Sequence, residues 1–215
     1  MRTLITITLA VLISLLVGCS DPDKPSVSLY LAVQRGDLDQ LERHIHWGTD
    51  INVRLPNGQY PLQLAARKGE IIMVKTLLEH GADMAAATPD GDTALDLAIL
   101  NGRTQIAEVL LAQGARLDAS AVLLKAAEIG VTDRDTVRFL TERGADLEQR
   151  NADGDTPLLI AIRQDNHRLA THLVNRGADV NAKAADGQSA LSLAKELKHS
   201  ELISLLERQG AMSPR

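Results

Sequence analysis

The sequence predicts an all-α protein: a solenoid of six helix-turn-helix units joined by short β-hairpin fingers. Two observations carry that expectation. The 215 residues include one Phe, one Trp and two Tyr although 45% are hydrophobic, so the core must be packed from Leu, Ile, Val and Ala, the palette of closely stacked helices. Glycine recurs at Gly48, Gly81, Gly114, Gly144, Gly177 and Gly210, in steps of 33, 33, 30, 33 and 33 residues, a period that marks a repeat array.

A different segment precedes the repeats. Arg2 gives a short positive start, and Leu4 to Val17 is uncharged, too short for a comfortable membrane span but suited to the apolar region of a secretory signal. The residues LVGC, Leu16 to Cys19, resemble the bacterial lipobox, in which the peptide is cut before the cysteine and its sulfur and amine are acylated. The resemblance implies a signal peptide over 1–18, a lipid-bearing Cys19 and a tether over 19–26, whose SDPDKPS composition is polar and flexible. Ser20 stands where an aspartate would favour inner-membrane retention, which implies the outer membrane, facing the periplasm. At about 0.8 kcal/mol per buried CH₂, several acyl chains hold a protein on a bilayer. Cys19 is the only cysteine, so no disulfide framework, zinc cluster or CxxC pair is expected.

The repeat domain is expected over 27–215, in units 27–54, 55–87, 88–120, 121–150, 151–183 and 184–215. The first lacks a hairpin and reads as a cap, with Glu42, Arg43 and His44 as its polar surface. The second runs NGQYPLQLAARKG from Asn57 to Gly69: a turn dipeptide, then a helix whose Leu62, Leu64, Ala65 and Ala66 form a small-residue face. A second helix follows with Ile72, Val74, Leu77 and Leu78 pointing inward, ended by Gly81. DGDTALDLAILNG, DGDTPLLIAIRQD and DGQSALSLAKELK repeat the pattern from Asp90, Asp153 and Asp186. In the fifth unit Thr156 is a capping hydroxyl and Pro157 occupies the first helical position. The last unit is a second cap, with Lys195, Glu196, Lys198 and Glu201.

These motifs resemble the ankyrin repeat, DG-x-TPLHLAA-x-x-G followed by a V-x-x-LL-x-x-GAD helix, over about Val27 to Gly210. The fourth unit departs from it: GARLDASAVLLKAAEIG has no turn dipeptide, and the shortened hairpin is partly balanced by a longer inter-helix loop, Val131 to Asp135. That irregularity predicts a notch in the concave surface.

Chemistry finds little support. A calcium loop centred on Gly154 would start at Gln149 and end at Ile160, and one on Gly91 would start at Ala86 and end at Leu97, where carboxylates are required. His44 and His46, or His167 and His172, are not spaced to chelate, and His80 reads as a partner of a helix carboxy terminus. No phosphate loop, GxSxG or HExxH appears. No cofactor or metal is expected, and the formal charge of −5 without a basic stripe argues against nucleic acid. A small-molecule site in the notch would need Lys125, Asp133 and Asp135 to converge.

What remains is surface. The resemblance implies a partner protein meeting the hairpin tips and first-helix positions: Leu55, Gln59, Tyr60, Arg67, Lys68, Asp92, Leu100, Asn101, Asn151, Asp155, Arg163, Gln164 and Gln188. Leu55 and Leu100 are its two exposed apolar positions, Tyr60 replaces a capping threonine, and Trp47 is expected to be partly exposed. The expected function is a non-catalytic, lipid-anchored, periplasm-facing scaffold, monomeric, binding another protein. Three alternatives stand beside it: an immunity-type inhibitor of an envelope-targeted toxin, an accessory supporting a periplasmic enzyme such as a catalase, and a bridge that merely holds envelope proteins near the membrane.

Overall fold

The computed structural model describes residues 24–212; Cys19 and the signal segment lie outside them. Six helix pairs follow one another among the described residues: α1 (Leu29–Arg35) and α2 (Leu38–His46), α3 (Pro61–Lys68) and α4 (Ile71–Glu79), α5 (Ala94–Leu100) and α6 (Thr104–Ala112), α7 (Ala119–Glu128) and α8 (Arg134–Glu142), α9 (Pro157–Arg163) and α10 (His167–Asn175), and α11 (Ala190–Glu196) and α12 (Ser200–Arg208). Each odd-numbered helix packs on the next odd one, and each even helix on the next even one. The result is an inner and an outer row sharing one continuous core of Leu, Ile, Val and Ala, because no helix pair can bury its apolar face without a neighbour.

The helix starts are set by side chains that satisfy free backbone N–H groups. Asp37, Thr93, Asp118, Asp133, Thr156, Asn166 and Ser189 each accept from a first-turn amide. Tyr60 makes no such bond; instead Gln63 Oε1 accepts the Tyr60 N–H at 2.9 Å. His80, at the end of α4, bonds the Thr76 carbonyl through Nδ1 at 2.8 Å.

The fingers are turns rather than strands: the described residues form no named strand, and a single bridge pairs Lys183 with Ser189. In the first finger the Gly58 N–H donates to the Leu55 carbonyl at 2.8 Å and Leu55 N–H to Gln59 at 2.7 Å. This three-residue loop needs a left-handed third residue, supplied by Gly58 at φ 79°. The same pairing recurs over Thr88–Asp92, Asn151–Asp155 and Ala184–Gln188. The Asp of GAD has a defined task here. Asp83, Asp146 and Asp179, with Asp50 in the first unit, each accept the N–H two residues on, at 2.8–2.9 Å. Neighbouring units are then tied: Asn52 reaches Asp83 N, Ser120 Asp146 N, Glu148 Asp179 N and Asn181 Met212 N.

The fourth unit is irregular as expected. Only residues 113–118 join α6 to α7, where other units use 47–60, 80–93, 143–156 and 176–189. Most of the finger is absent from the sequence, and part of what is left lengthens α7, which has 10 residues where the other inner helices have 7 or 8. The loop between α7 and α8 is longer than its counterparts, but it spans 129–133; Arg134 and Asp135 already belong to α8.

Two side chains differ from expectation. Ile72 is 63% exposed, because the inward stripe of α4 is Met73, Val74 and Leu77, leaving Ile72 on the outer side. His44 is buried, not part of a polar cap, since its Nε2 contacts the Val27 carbonyl at 2.8 Å and its Nδ1 contacts Thr49 Oγ1 at 3.1 Å.

Candidate protein-binding face

The expected face divides once packing is considered. Leu55 and Leu100 are not exposed anchors: they are 5% and 8% accessible. Leu55 opens the first finger turn and belongs to the core, and Leu100 closes α5 beside Gly130, Val131 and Thr132 of the long loop. Gln59, Asp92 and Asp155, each the residue after a finger glycine, are buried as well, whereas Gln188 in the last finger is half-buried. Gln59 Oε1 accepts from Asn57 Nδ2 at 3.1 Å. Asn151 is half-buried and spends its Oδ1 on the amides of Asp153 and Asp155. Tyr60 is half-covered, with the Arg54 guanidinium 5.2 Å from its ring centroid.

Arg163 also works inward. Its Nε meets Asp155 Oδ2 at 2.8 Å, its Nη2 meets Asp186 Oδ2 at 2.8 Å, and its Nη1 donates to Gln188 Oε1 at 3.2 Å. One planar fork thus ties the fingers of units five and six. Asp155 Oδ1 is buried with no hydrogen-bond partner among the described residues, so Arg163 carries the compensation of that carboxylate. The Arg163 bond holds the Asp186 carboxyl below its usual range, helped by the Gln188 backbone N–H, and raises the Arg163 guanidinium. A depressed carboxylate stabilises the fold above its unfolded pKa, about 3.9, and loses that contribution as pH falls through the lower folded value. Asp186→Asn is therefore expected to lower the denaturation midpoint at pH 7 and to converge with the parent chain in acid; parallel midpoint curves would count against the staple.

Arg67, Lys68, Asn101 and Gln164 remain at the exposed ends of α3, α5 and α9, Lys68 being half-covered. Gln164 Nε2 donates to the Glu128 carbonyl at 2.8 Å, which fixes the spacing between the fourth and fifth units. Two apolar residues complete this row: Ile129 is 58% exposed and Leu197 40%. They occupy the repeat position of Lys68, Asn101 and Gln164. Aligning the repeats on Gly69, Gly102 and Gly130 would have found Ile129 in the sequence. Trp47 is 49% exposed, as expected.

The absent finger leaves a depression of about 340 Å³ lined by Asp90, Asp92, Arg116, Asp118, Ala121 and Lys125, among others. Lys125 stands where the second, third, fifth and sixth units place Leu64, Leu97, Ile160 and Leu193, all buried. With no finger above it, a Leu would face water; Lys125 instead reaches back to Asp92 Oδ1 at 2.5 Å. The notch exists, but the polar groups expected in it do not converge. Asp133 caps α8 through Thr136 N at 2.7 Å and Asp135 pairs with Arg138 at 3.1 Å, both bordering a different depression. Among the described residues no group of three or more His, Cys, Asp or Glu is arranged to hold a metal ion, and no helix is long and apolar enough to cross a membrane. The His167 and His199 rings, from adjacent units, lie 5.8 Å apart, a pairing that spacing along the chain does not reveal.

The family model for ankyrin repeats (3 copies) matches residues 29–121 and again 123–212. The chain belongs to the ankyrin-repeat family. Ankyrin repeats mediate protein–protein interaction, and the fold above is their helix-turn-helix solenoid. Solved structures of the same architecture include a chain from the complex of the Bd0816 predatory endopeptidase of Bdellovibrio bacteriovorus with the immunity protein Bd3460. It is 27% identical, with a TM-score of 0.69 over 86% of this chain and 99% of the other. The ankyrin repeat domain of Bcl-3, of the IκB family, is 29% identical, with a TM-score of 0.68 over 88% of this chain and 89% of the other. An ankyrin repeat domain of Acinetobacter baumannii AYE is 27% identical, with a TM-score of 0.65 over 86% and 98%. No curated protein matches the sequence.

Proposed function

We propose that this ankyrin chain is a lipid-anchored, periplasm-facing scaffold that binds another protein along the row Arg67, Lys68, Asn101, Ile129, Gln164 and Leu197. The observation that carries the reading is the division of the face. Asp92 and Asp155 are buried and Asp186 is stapled to Arg163, while this row is exposed apart from the half-covered Lys68 and carries two apolar side chains among polar ones. Such a mixture suits a desolvated centre with a polar rim. A rigid array loses little entropy on binding. The LVGC sequence ending at Cys19 supports the anchor, and Ser20 supports the outer membrane.

A second reading is favoured by one likeness. The complex of Bd0816 with Bd3460 joins an endopeptidase to an immunity protein, and an inhibitor of an envelope-targeted hydrolase would use the same exposed row.

A photo-crosslinker at Arg67 of the full lipoprotein, irradiated in cells, is expected to yield one dominant protein adduct by mass spectrometry. Ile129→Glu is expected to reduce its yield about tenfold, equivalent to about 1.4 kcal/mol of binding. If the captured protein is a hydrolase, the immunity reading expects its activity to fall stoichiometrically on adding the purified chain. Binding with unchanged activity would retain the scaffold and remove the inhibitor. Many weak adducts, insensitive to Ile129→Glu, would overturn both.

A further inference from the structure

We infer that the first unit is a membrane-contacting foot, and that Trp47 enters the lipid–water interface when the chain is tethered at Cys19. The inference rests on the lipid anchor proposed above. Its first support is where the tether ends. The Ser26 N–H donates to Gln40 Oε1 at 2.8 Å, and the Val27 carbonyl is bonded by the buried His44 ring at 2.8 Å. The chain is therefore bound to α2 only seven residues beyond Cys19, a stretch that spans at most about 24 Å. Helices pack roughly 10 Å apart, so the sixth unit stands on the order of 50 Å further along the array. Only the first units lie within reach of the acylated residue.

Side-chain chemistry at that end fits a bilayer surface. The single Trp and both Tyr of the chain lie between Tyr30 and Tyr60. Trp47 is 49% exposed at the end of α2, one turn beyond the histidine that binds the tether. An indole combines an apolar body with one N–H and settles at headgroup level. The solenoid then stands on its first unit and holds the row from Arg67 onward clear of the headgroups.

Because Trp47 is the only tryptophan, its emission reports this contact directly. The lipoprotein is reconstituted into vesicles of phosphatidylethanolamine and phosphatidylglycerol, with and without phospholipid brominated near the headgroup, beside the Cys19→Ser chain free in solution. Expected are a blue shift, loss of about half the emission to bromolipid and a comparable fall in acrylamide quenching on tethering. Vesicle-bound protein whose Trp47 emission and acrylamide quenching equal those of the free chain would overturn the inference. Intact mass tests the anchor separately. Should the mass show no acylation, the sole cysteine is coupled to a maleimide-bearing lipid in the same vesicles, and the same two readings decide whether the foot contacts the bilayer.

Discussion

Leu77→Ala is expected to lower the unfolding free energy by about 2–5 kcal/mol, the range for a leucine removed from a core that cannot collapse around the void. Leu77 has no accessible surface and lies on α4, between α2 and α6 in the outer row. In an array of nearest-neighbour contacts the cavity weakens both of its interfaces. The amino-terminal side holds just one unit beyond it. We expect the denaturant midpoint to fall, with earlier amide exchange in α1 and α2 than in α9 and α10. An unchanged midpoint would contradict the placement of this helix face.

Gln63→Ala is expected to cost about 1–3 kcal/mol, the penalty for leaving buried polar groups unpaired. Gln63 is 1% accessible, and one side chain joins two units. Its Nε2 donates to the Ala86 carbonyl at 2.8 Å and to Asp92 at 3.2 Å, while its Oε1 accepts the Tyr60 N–H. Truncation strands groups at the start of α3 and at the base of the next finger together. Gln63→His, which places the residue of the TPLHLAA pattern at this position, is expected to recover most of the loss. Equal midpoints for Gln63→Ala and the parent chain would show that these bonds exchange with water at no cost.

Most of the architecture was legible in the sequence, because each unit carries local signals that repeat. Asn57-Gly58 marks a turn, Thr156 and Pro157 mark a helix start, and Gly81 marks the end of an outer helix. Even the missing finger could be read, as a shortfall between Gly114 and Gly130. The face was legible only in part. Arg67, Asn101 and Gln164 are exposed as expected and Lys68 is half-covered, whereas Leu55, Gln59, Asp92, Leu100 and Asp155 are buried. Their covering depends on how each finger folds over its own helix and, for Asp92, on Lys125 of the next unit, while Ile129 precedes Gly130 at the repeat position of Lys68 and Asn101 and was legible there.

The sequence by itself determined the repeat, its turns, its caps and the residues able to form a core, since these depend on backbone preferences within a few positions. Only the tertiary structure decided what each charge does. Arg163 joins Asp155 of its own finger to Asp186 of the next, and Lys125 reaches across 33 residues to Asp92. Both are surface charges in a linear reading. The stacking distance between units turns them into staples, because it brings into hydrogen-bond range groups that the chain itself holds one repeat apart.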